Sequence, residues 1–140
     1  MAREAVFADS AFLYALVDRR DSAHLQAVER LRSLVQAQRS LISTDYVVAE
    51  ALTLAKSRAG SVAALRLLDR LEASVLIGIE WIGPDRFASA KAFFRKHSDH
   101  DYSFTDCTSF VVMRELKLKD ALTTDAHFVE AGFRALLRPH

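Results

Sequence analysis

The sequence predicts an α/β protein with three layers, α/β/α, around a central and mostly parallel sheet of four or five strands. Short apolar runs alternate with longer segments in which apolar residues recur at helical spacing. Parallel strands need a crossover between them, and the intervening helices supply it. The 140 residues include only four glycines and two prolines, so we expect one compact domain over residues 1–140.

The first half of the chain predicts two strands and four helices. Each strand is a short apolar run, and most of the helices follow residue types that cap helices. Gly60 is a typical C-terminal stop for the third helix. In chain order we expect strand 5–8, a helix after Asp9, a helix capped by Asp21 and Ser22, strand 41–43, a helix capped by Thr44 or Asp45, and a helix from Ser61.

The second half predicts three more possible strands and places one polar loop among them. The loop, residues 97–102, reads His-Ser-Asp-His-Asp-Tyr and is the best candidate for a functional loop. In chain order we expect strand 74–81, a helix opened by Pro84 and Asp85, the polar loop, a helix over about 105–118, strand 121–124, a short helical turn, and a last strand within 133–137.

Composition and charge exclude several classes of protein. Nineteen basic and eighteen acidic residues give a formal net charge of +1, too small for a protein that duplex DNA attracts through general electrostatics. Cys107 is the only cysteine, so neither an intramolecular disulfide nor a cysteine-rich zinc site can form. Charged residues interrupt every apolar run before it reaches the length of a membrane helix. We therefore expect a cytoplasmic protein without a membrane segment.

Four carboxylates are expected to meet at one edge of the sheet. Asp9 and Asp125 each follow the end of a predicted strand, and Asp106 lies in the first turn of a helix that begins at the same edge. Glu50 lies between one and two turns into its helix, and helical side chains lean toward the N-terminus. Ligands of open parallel sheets bind at the carboxyl ends of the strands, so this edge is the candidate site.

Carboxylates that gather within a few ångströms repel one another unless protons or a cation offset their charge. A set of oxygen ligands without cysteine favours Mg²⁺ or Mn²⁺, which activate water and hold phosphate oxygens in phosphodiester hydrolysis. The alternative for each aspartate is that it only caps a helix, and for Glu50 that it is a solvated helix position.

Other candidate residues carry weaker signals. His97 and His100 lack the companions of a zinc site, so a solvated loop is the preferred interpretation. His127, beside Asp125, is a candidate for substrate contact, although a surface or partly packed histidine is the simpler interpretation. Cys107 has no basic neighbour and is interpreted as a packed thiol.

Four stretches resemble the PIN-domain family, in particular the VapC-like ribonuclease toxins. They are Val-Phe-Ala-Asp-Ser-Ala-Phe-Leu-Tyr-Ala-Leu, Ile-Ser-Thr-Asp-Tyr-Val-Val-Ala-Glu, Tyr-Ser-Phe-Thr-Asp-Cys-Thr-Ser-Phe and Ala-Leu-Thr-Thr-Asp-Ala-His-Phe, in this order along the chain. The resemblance implies an acidic quartet of Asp9, Glu50, Asp106 and Asp125, with Asp101 as an auxiliary acid. Ala11 departs from the family pattern, because relatives often carry a small polar residue there.

The resemblance further implies a Mg²⁺- or Mn²⁺-dependent endoribonuclease that dimerises and is held inactive by a small antitoxin protein. A module of the same fold that binds RNA or protein without cutting is the alternative. Because the net charge is near zero, RNA phosphates would have to be contacted by a few basic side chains. The candidates are Arg19, Arg20, Arg58, Arg86 and Arg95.

Overall fold

A parallel sheet lies at the centre of the fold. The structure is a computed structural model that describes residues 4–137. Within that range the strands are β1 (Val6–Ala8), β2 (Leu41–Thr44), β3 (Ile77–Glu80), β4 (Asp120–Leu122) and β5 (Arg134–Ala135). They pair in the order β3-β2-β1-β4-β5, and every pair is parallel. The predicted fold class is therefore confirmed, with five strands in the described part of the chain.

Helices supply the crossovers between these strands. Those described are α1 (Ser10–Val17), α2 (His24–Gln36), α3 (Asp45–Ala59), α4 (Ser61–Ala73), α5 (Gly83–Lys96), α6 (Phe104–Glu115) and α7 (Ala126–Glu130). The chain moves outward from β1 to β2 and β3, and then returns across the sheet to β4 and β5. Right-handed crossovers place α1 to α4 on one face of the sheet and α5 to α7 on the other. The direction reverses between β1 and β4, where open sheets of this kind bind ligands.

Four local expectations differ from the structure. The α6 helix ends at Glu115 instead of about 118, because Lys117 has a positive φ of 57° and cannot continue the helix. The α2 helix begins at His24 because Asp21 accepts a hydrogen bond from the backbone N–H of Ala23 (3.0 Å) and forms a turn before the helix rather than its N-cap. The β3 strand begins at Ile77 and not at Ser74. The hydroxyl oxygen of Ser74 accepts a hydrogen bond from the backbone N–H of Leu76 at 3.1 Å and forms a turn before the strand. The β4 strand ends at Leu122, two residues earlier than predicted. Thr44, by contrast, caps α3 as predicted.

The buried core holds the central strand in place. All of β1 is buried, and Phe7 packs against Phe128 of α7 with ring centroids 6.3 Å apart. Phe128 in turn meets Phe110 of α6 edge-on at 5.0 Å. These contacts hold α6 and α7 against the central strand. No helix in residues 4–137 is long and apolar enough to cross a membrane.

An ion cluster closes the opposite, amino edge of the sheet. Asp120 begins β4, and its side chain is only 3% exposed. Arg134 donates to its carboxylate at 2.7 and 3.0 Å, and Arg39 donates at 3.2 Å. The hydrogen bonds from Arg134 are the main reason that the pKa of Asp120 lies below its ordinary value, although burial opposes them. The cluster ties β4 to β5 and to the segment before β2.

We expect Asp120→Asn to lower the free energy of unfolding by about 2 kcal/mol at neutral pH, because asparagine cannot carry the charge that both arginines bind. The pKa of Asp120 is lower in the folded protein than the 3.8 of the free side chain. The stabilisation is therefore present above the unfolded pKa and is lost as the pH falls through the folded pKa. Urea denaturation of both proteins across this range should show a difference that narrows below about pH 4.

Asp99→Asn is the matched control, since it removes the same charge from an exposed loop position. An equal loss of stability in the control, or a difference between wild type and Asp120→Asn that does not change with pH, would contradict the expected role of the cluster.

Candidate active site

Asp9 lies where the central strand ends. It follows β1 and occupies the N-cap position of α1, but its side chain makes no capping hydrogen bond. The residue is only 6% exposed, and its carboxylate accepts a hydrogen bond from Thr123 Oγ1 at 2.8 Å. The pKa of Asp9 is raised to about 7, mainly by burial and to a smaller extent by the charges of Asp106 and Glu50, while the hydrogen bond from Thr123 opposes the rise. A helix cap alone does not need a buried acid of this kind.

Glu50 is held near Asp9 by a hydrogen bond from the neighbouring Ser10. It is the sixth residue of α3 and is half-buried, and its Oε1 accepts a short hydrogen bond from the hydroxyl of Ser10. Ser10 is the first residue of α1 and adjoins Asp9. Glu50 is therefore more than a solvated helix position, which was the alternative interpretation. Ser10 did not figure among the sequence candidates, and its only signal was its place beside Asp9.

Asp106 has two roles at the start of α6. Ser103 caps the helix by accepting from the backbone N–H of Asp106 at 3.0 Å, and the Asp106 carboxylate accepts from the backbone N–H of Ser103 at 3.1 Å. The same carboxylate oxygen lies 3.1 Å from Nδ1 of His127. Burial is the main reason that the pKa of Asp106 is raised, and the charge of Asp125 adds to it. Asp106 therefore caps α6 and also belongs to the acidic group.

Asp125 and His127 face Asp106 from the start of α7. Asp125 caps this helix by accepting from the backbone N–H of His127 at 2.9 Å, and its own N–H donates to Thr123 Oγ1 at 3.0 Å. Nδ1 of His127 lies 3.2 Å from Asp125 Oδ1. Burial lowers the pKa of His127, but the charges of Asp125 and Asp106 outweigh it and the net shift is upward. The sequence offered His127 as a candidate for substrate contact, with a surface or partly packed histidine as the simpler interpretation, and it did not predict the contact with Asp106.

The structure thus brings the four predicted carboxylates to one edge, in two linked groups. Ligand atoms of Asp106, Asp125 and His127 all lie within 4.8 Å of one another. Asp9 interacts electrostatically with Asp106 and with Glu50, which Ser10 holds beside it. Among residues 4–137, no lysine or arginine forms an ion pair with any of the four acids.

This donor set fits a divalent cation. Carboxylate oxygens with one imidazole nitrogen are ligands that Mg²⁺, Mn²⁺ and related ions accept. Burial, the main cause, and the charges of neighbouring acids raise the pKa values of Asp9 and Asp106, and so disfavour the negative charge of these carboxylates. A cation bound among these side chains would offset it.

Unlike His127, the other weaker candidates lie outside this group. In the described part of the chain, the group of Asp106, Asp125 and His127 is the one set of side chains arranged to hold a metal, and it includes neither His97 nor His100. His100 instead stacks on Tyr102, with ring centroids 4.6 Å apart. Asp101 is exposed and is not part of the group either. Cys107 is fully buried, and burial raises the pKa of its thiol to about 11, as expected for a packed side chain.

The candidate basic side chains differ in whether acidic residues already bind them. Arg86 was a candidate for phosphate contact, but Glu80 and Glu115 both bind its guanidinium, which also donates to the Trp81 carbonyl. It is therefore a structural residue that ties α5 to β3 and α6. Arg95 forms no ion pair within residues 4–137, and it lines a groove with Lys91 and Phe104.

The groove is defined by five residues from two helices, and one of the two is the helix that carries Asp106. Phe104 is two positions before Asp106 on α6. A second groove, whose lining includes Tyr46, Glu50 and Thr105, adjoins the acids from the α3 side. Tyr46 and Phe104 both contact the ring of Phe87, with centroid distances of 6.4 and 5.1 Å. The five residues of the first groove are Phe87, Lys91, Phe94, Arg95 and Phe104.

Comparisons with known proteins identify relatives of this chain. The chain is 30% identical over 128 residues to the 23S rRNA-specific endonuclease VapC20 of two strains of Mycobacterium tuberculosis, a match that covers 91% of this chain and 95% of the relative. The crystal structure of M. tuberculosis VapC20, described as a Sarcin-Ricin loop cleaving toxin, superposes with a TM-score of 0.84 at 28% identity. That superposition covers 95% of this chain and 99% of VapC20.

A second solved structure supports the fold alone. FitAcB from Neisseria gonorrhoeae superposes with a TM-score of 0.64 at 17% identity, over 93% of this chain and 94% of that one. The sequence model of the PIN domain matches residues 6–134, which include all four acids and every described strand except the last residue of β5. The chain therefore belongs to the PIN domain family.

Proposed function

We propose that this chain is an endoribonuclease that depends on Mg²⁺ or Mn²⁺ and hydrolyses RNA phosphodiester bonds, as the toxin of a toxin–antitoxin pair. Asp9, Glu50, Asp106 and Asp125 form its active site and hold the cation. The observation that carries the proposal is the group of acids at the point where the sheet reverses direction, without an arginine or lysine partner in residues 4–137. The endonuclease VapC20, 30% identical to this chain, gives the substrate class.

Three of the four acids have distinct tasks in this mechanism. A bound cation supplies positive charge that stabilises the negative charge developing on the phosphate. Asp9 is buried and fixed by Thr123, so it serves as a rigid ligand. Asp125 has a side chain that is 35% exposed, against 13% for Asp106, and is therefore the better placed of the two to accept a proton from the attacking water. Asp106 is held by Ser103 and positions the reacting groups.

RNA reaches this site along the groove that contains Arg95. Lys91 lies 5.4 Å above the ring of Phe87, and Arg95 is its neighbour one turn later. Cationic side chains beside exposed rings suit the phosphates and bases of unpaired RNA. The groove therefore offers the local basic patch that a net charge of +1 requires.

The test is incubation of the purified chain with end-labelled ribosomal RNA in Mg²⁺ or Mn²⁺, followed by mapping of the RNA ends. We expect discrete cleavage products. The alternative, a module that binds RNA or protein without cutting, predicts retarded but intact RNA in a gel-shift assay. Intact RNA at every protein and cation concentration would contradict the proposed function.

We also propose that residues 1–140 act as one cytoplasmic domain that forms a homodimer and binds a small antitoxin. Helix α4 supports the association, because its apolar residues Val62 and Leu65 are 66% and 58% exposed. Light scattering at micromolar concentration should show a mass of about two chains, and purification from the native host should recover a small partner. A strictly monomeric protein without any interactor would contradict both expectations.

A further inference from the structure

We propose that Nδ1 of His127 is a ligand of the divalent cation, and that this nitrogen gives the site a preference for Mn²⁺ over Mg²⁺. The inference rests on the proposed function, because it assumes the cation that RNA cleavage requires. It adds a residue to the four acids of the proposed site and selects between the two ions.

The distances around Nδ1 suit a shared cation. An octahedral ion with bonds of about 2.1 Å places adjacent ligand atoms about 3 Å apart. Nδ1 of His127 lies 3.1 Å from Asp106 Oδ2 and 3.2 Å from Asp125 Oδ1. The nitrogen is therefore spaced from both carboxylates as two neighbouring ligands of one ion are. In the absence of an ion, the same separations allow direct hydrogen bonds.

The imidazole is held in this position from several sides. Its own backbone N–H donates to Asp125 Oδ1 at 2.9 Å, so the residue and one of its carboxylate neighbours form a single turn. The ring meets Tyr102 edge-on, with centroids 5.5 Å apart, and Tyr102 is itself buried. The next residue, Phe128, is fully buried in the core. A ligand that is already oriented loses little conformational freedom when the ion binds.

The chemistry of the donor atom predicts the choice of ion. Mg²⁺ is a hard cation that binds oxygen ligands and gives up its water reluctantly. Imidazole nitrogen is a softer donor, and transition-metal ions accept it more readily than Mg²⁺ does. One nitrogen among carboxylates therefore raises the affinity for Mn²⁺ relative to Mg²⁺.

Pulsed electron paramagnetic resonance of bound Mn²⁺ tests the ligand directly. We expect the wild-type protein to show the nitrogen coupling of a coordinated imidazole, and isotopic labelling of histidine to change that signal. His127→Asn places a side-chain oxygen close to the position of Nδ1, so the coupling should disappear while an ion still binds. Titration calorimetry should show the Mn²⁺ over Mg²⁺ affinity ratio falling about tenfold in this variant.

His100→Asn is the matched control. His100 stacks on the same Tyr102 ring and pairs with Glu130 at 3.3 Å, but it lies outside the metal-binding group. Its replacement should leave both the coupling and the affinity ratio unchanged.

The outcomes separate this inference from the proposed function. A protein that binds Mn²⁺ and cleaves RNA without histidine coupling, or with coupling that persists in His127→Asn, would overturn the inference and leave the proposed function standing. A protein that binds neither ion would overturn both.

Discussion

Replacing Asp106 by asparagine is expected to lower the rate of RNA cleavage about 100- to 1,000-fold while the protein stays folded. A charged ligand of a catalytic cation contributes several kcal/mol to stabilisation of the transition state, and each 1.4 kcal/mol corresponds to about a factor of ten. Asparagine is nearly isosteric with aspartate but carries no charge. Cleavage of labelled RNA under single-turnover conditions measures the loss.

The stability of the same variant distinguishes a metal ligand from a helix cap. The asparagine side-chain oxygen can still accept from the backbone N–H of Ser103, so the cap at the start of α6 is retained. Burial and the nearby charge of Asp125 disfavour the charged form of Asp106. Without added cation the variant should therefore unfold at a temperature at least as high as the wild type, and its Mn²⁺ affinity should be lower.

Asp85→Asn is the control for this experiment, because Asp85 also lies in the first turn of a helix but outside the metal-binding group. It should cleave RNA at the wild-type rate. Wild-type cleavage by a folded Asp106→Asn protein would contradict the assignment of the active site.

Removal of divalent cations with EDTA is expected to abolish cleavage and to lower the midpoint of thermal unfolding. Without a cation, the charges of Asp9, Glu50 and Asp106 repel one another in a partly buried site. At a concentration 100 times its dissociation constant, a cation that binds only the folded state stabilises it by about 2.7 kcal/mol, which corresponds to a shift of several degrees. Differential scanning calorimetry and the cleavage assay follow the two effects in parallel.

Two controls test whether the effect of the cation comes from the proposed site. NaCl at matched ionic strength reproduces general screening, so it should not restore either activity or the unfolding midpoint. The cation-induced rise in midpoint should be much smaller in Asp106→Asn than in the wild type. Complete RNA cleavage in excess EDTA by a clean preparation would contradict the dependence on a cation.

The order of strands and helices could be predicted because several boundaries have a local cause. Asp9 stops an apolar run, Thr44 caps a helix with its own hydroxyl, and Gly60 ends one with a positive φ of 94°. The position of the acids followed from the same pattern, since residues after parallel strands meet at one edge. Local sequence was therefore sufficient for the fold class and for the list of carboxylates.

Contacts between distant elements could not be predicted in the same way. His127 meets Asp106 because α6 and α7 pack together through Phe110 and Phe128, and sequence spacing does not reveal that packing. Arg86 resembled a solvent-exposed base, but its partner Glu115 lies 29 positions away. Whether a charged side chain is available to a substrate depends on such pairings, which only the folded chain defines.

The adjacency of β1 and β4 has a consequence for the timing of folding. The hydrogen bond from Thr123 to Asp9 spans 114 positions in the sequence, and β4 is the strand that completes the environment of the central one. During synthesis, Asp9, Glu50 and Asp106 leave the ribosome before Asp125 does, and contacts of such high sequence separation form late. A nascent chain that has not yet been extended through β4 and Asp125 therefore carries three acids of the proposed active site without the contacts that unite them, and we expect it not to cleave RNA.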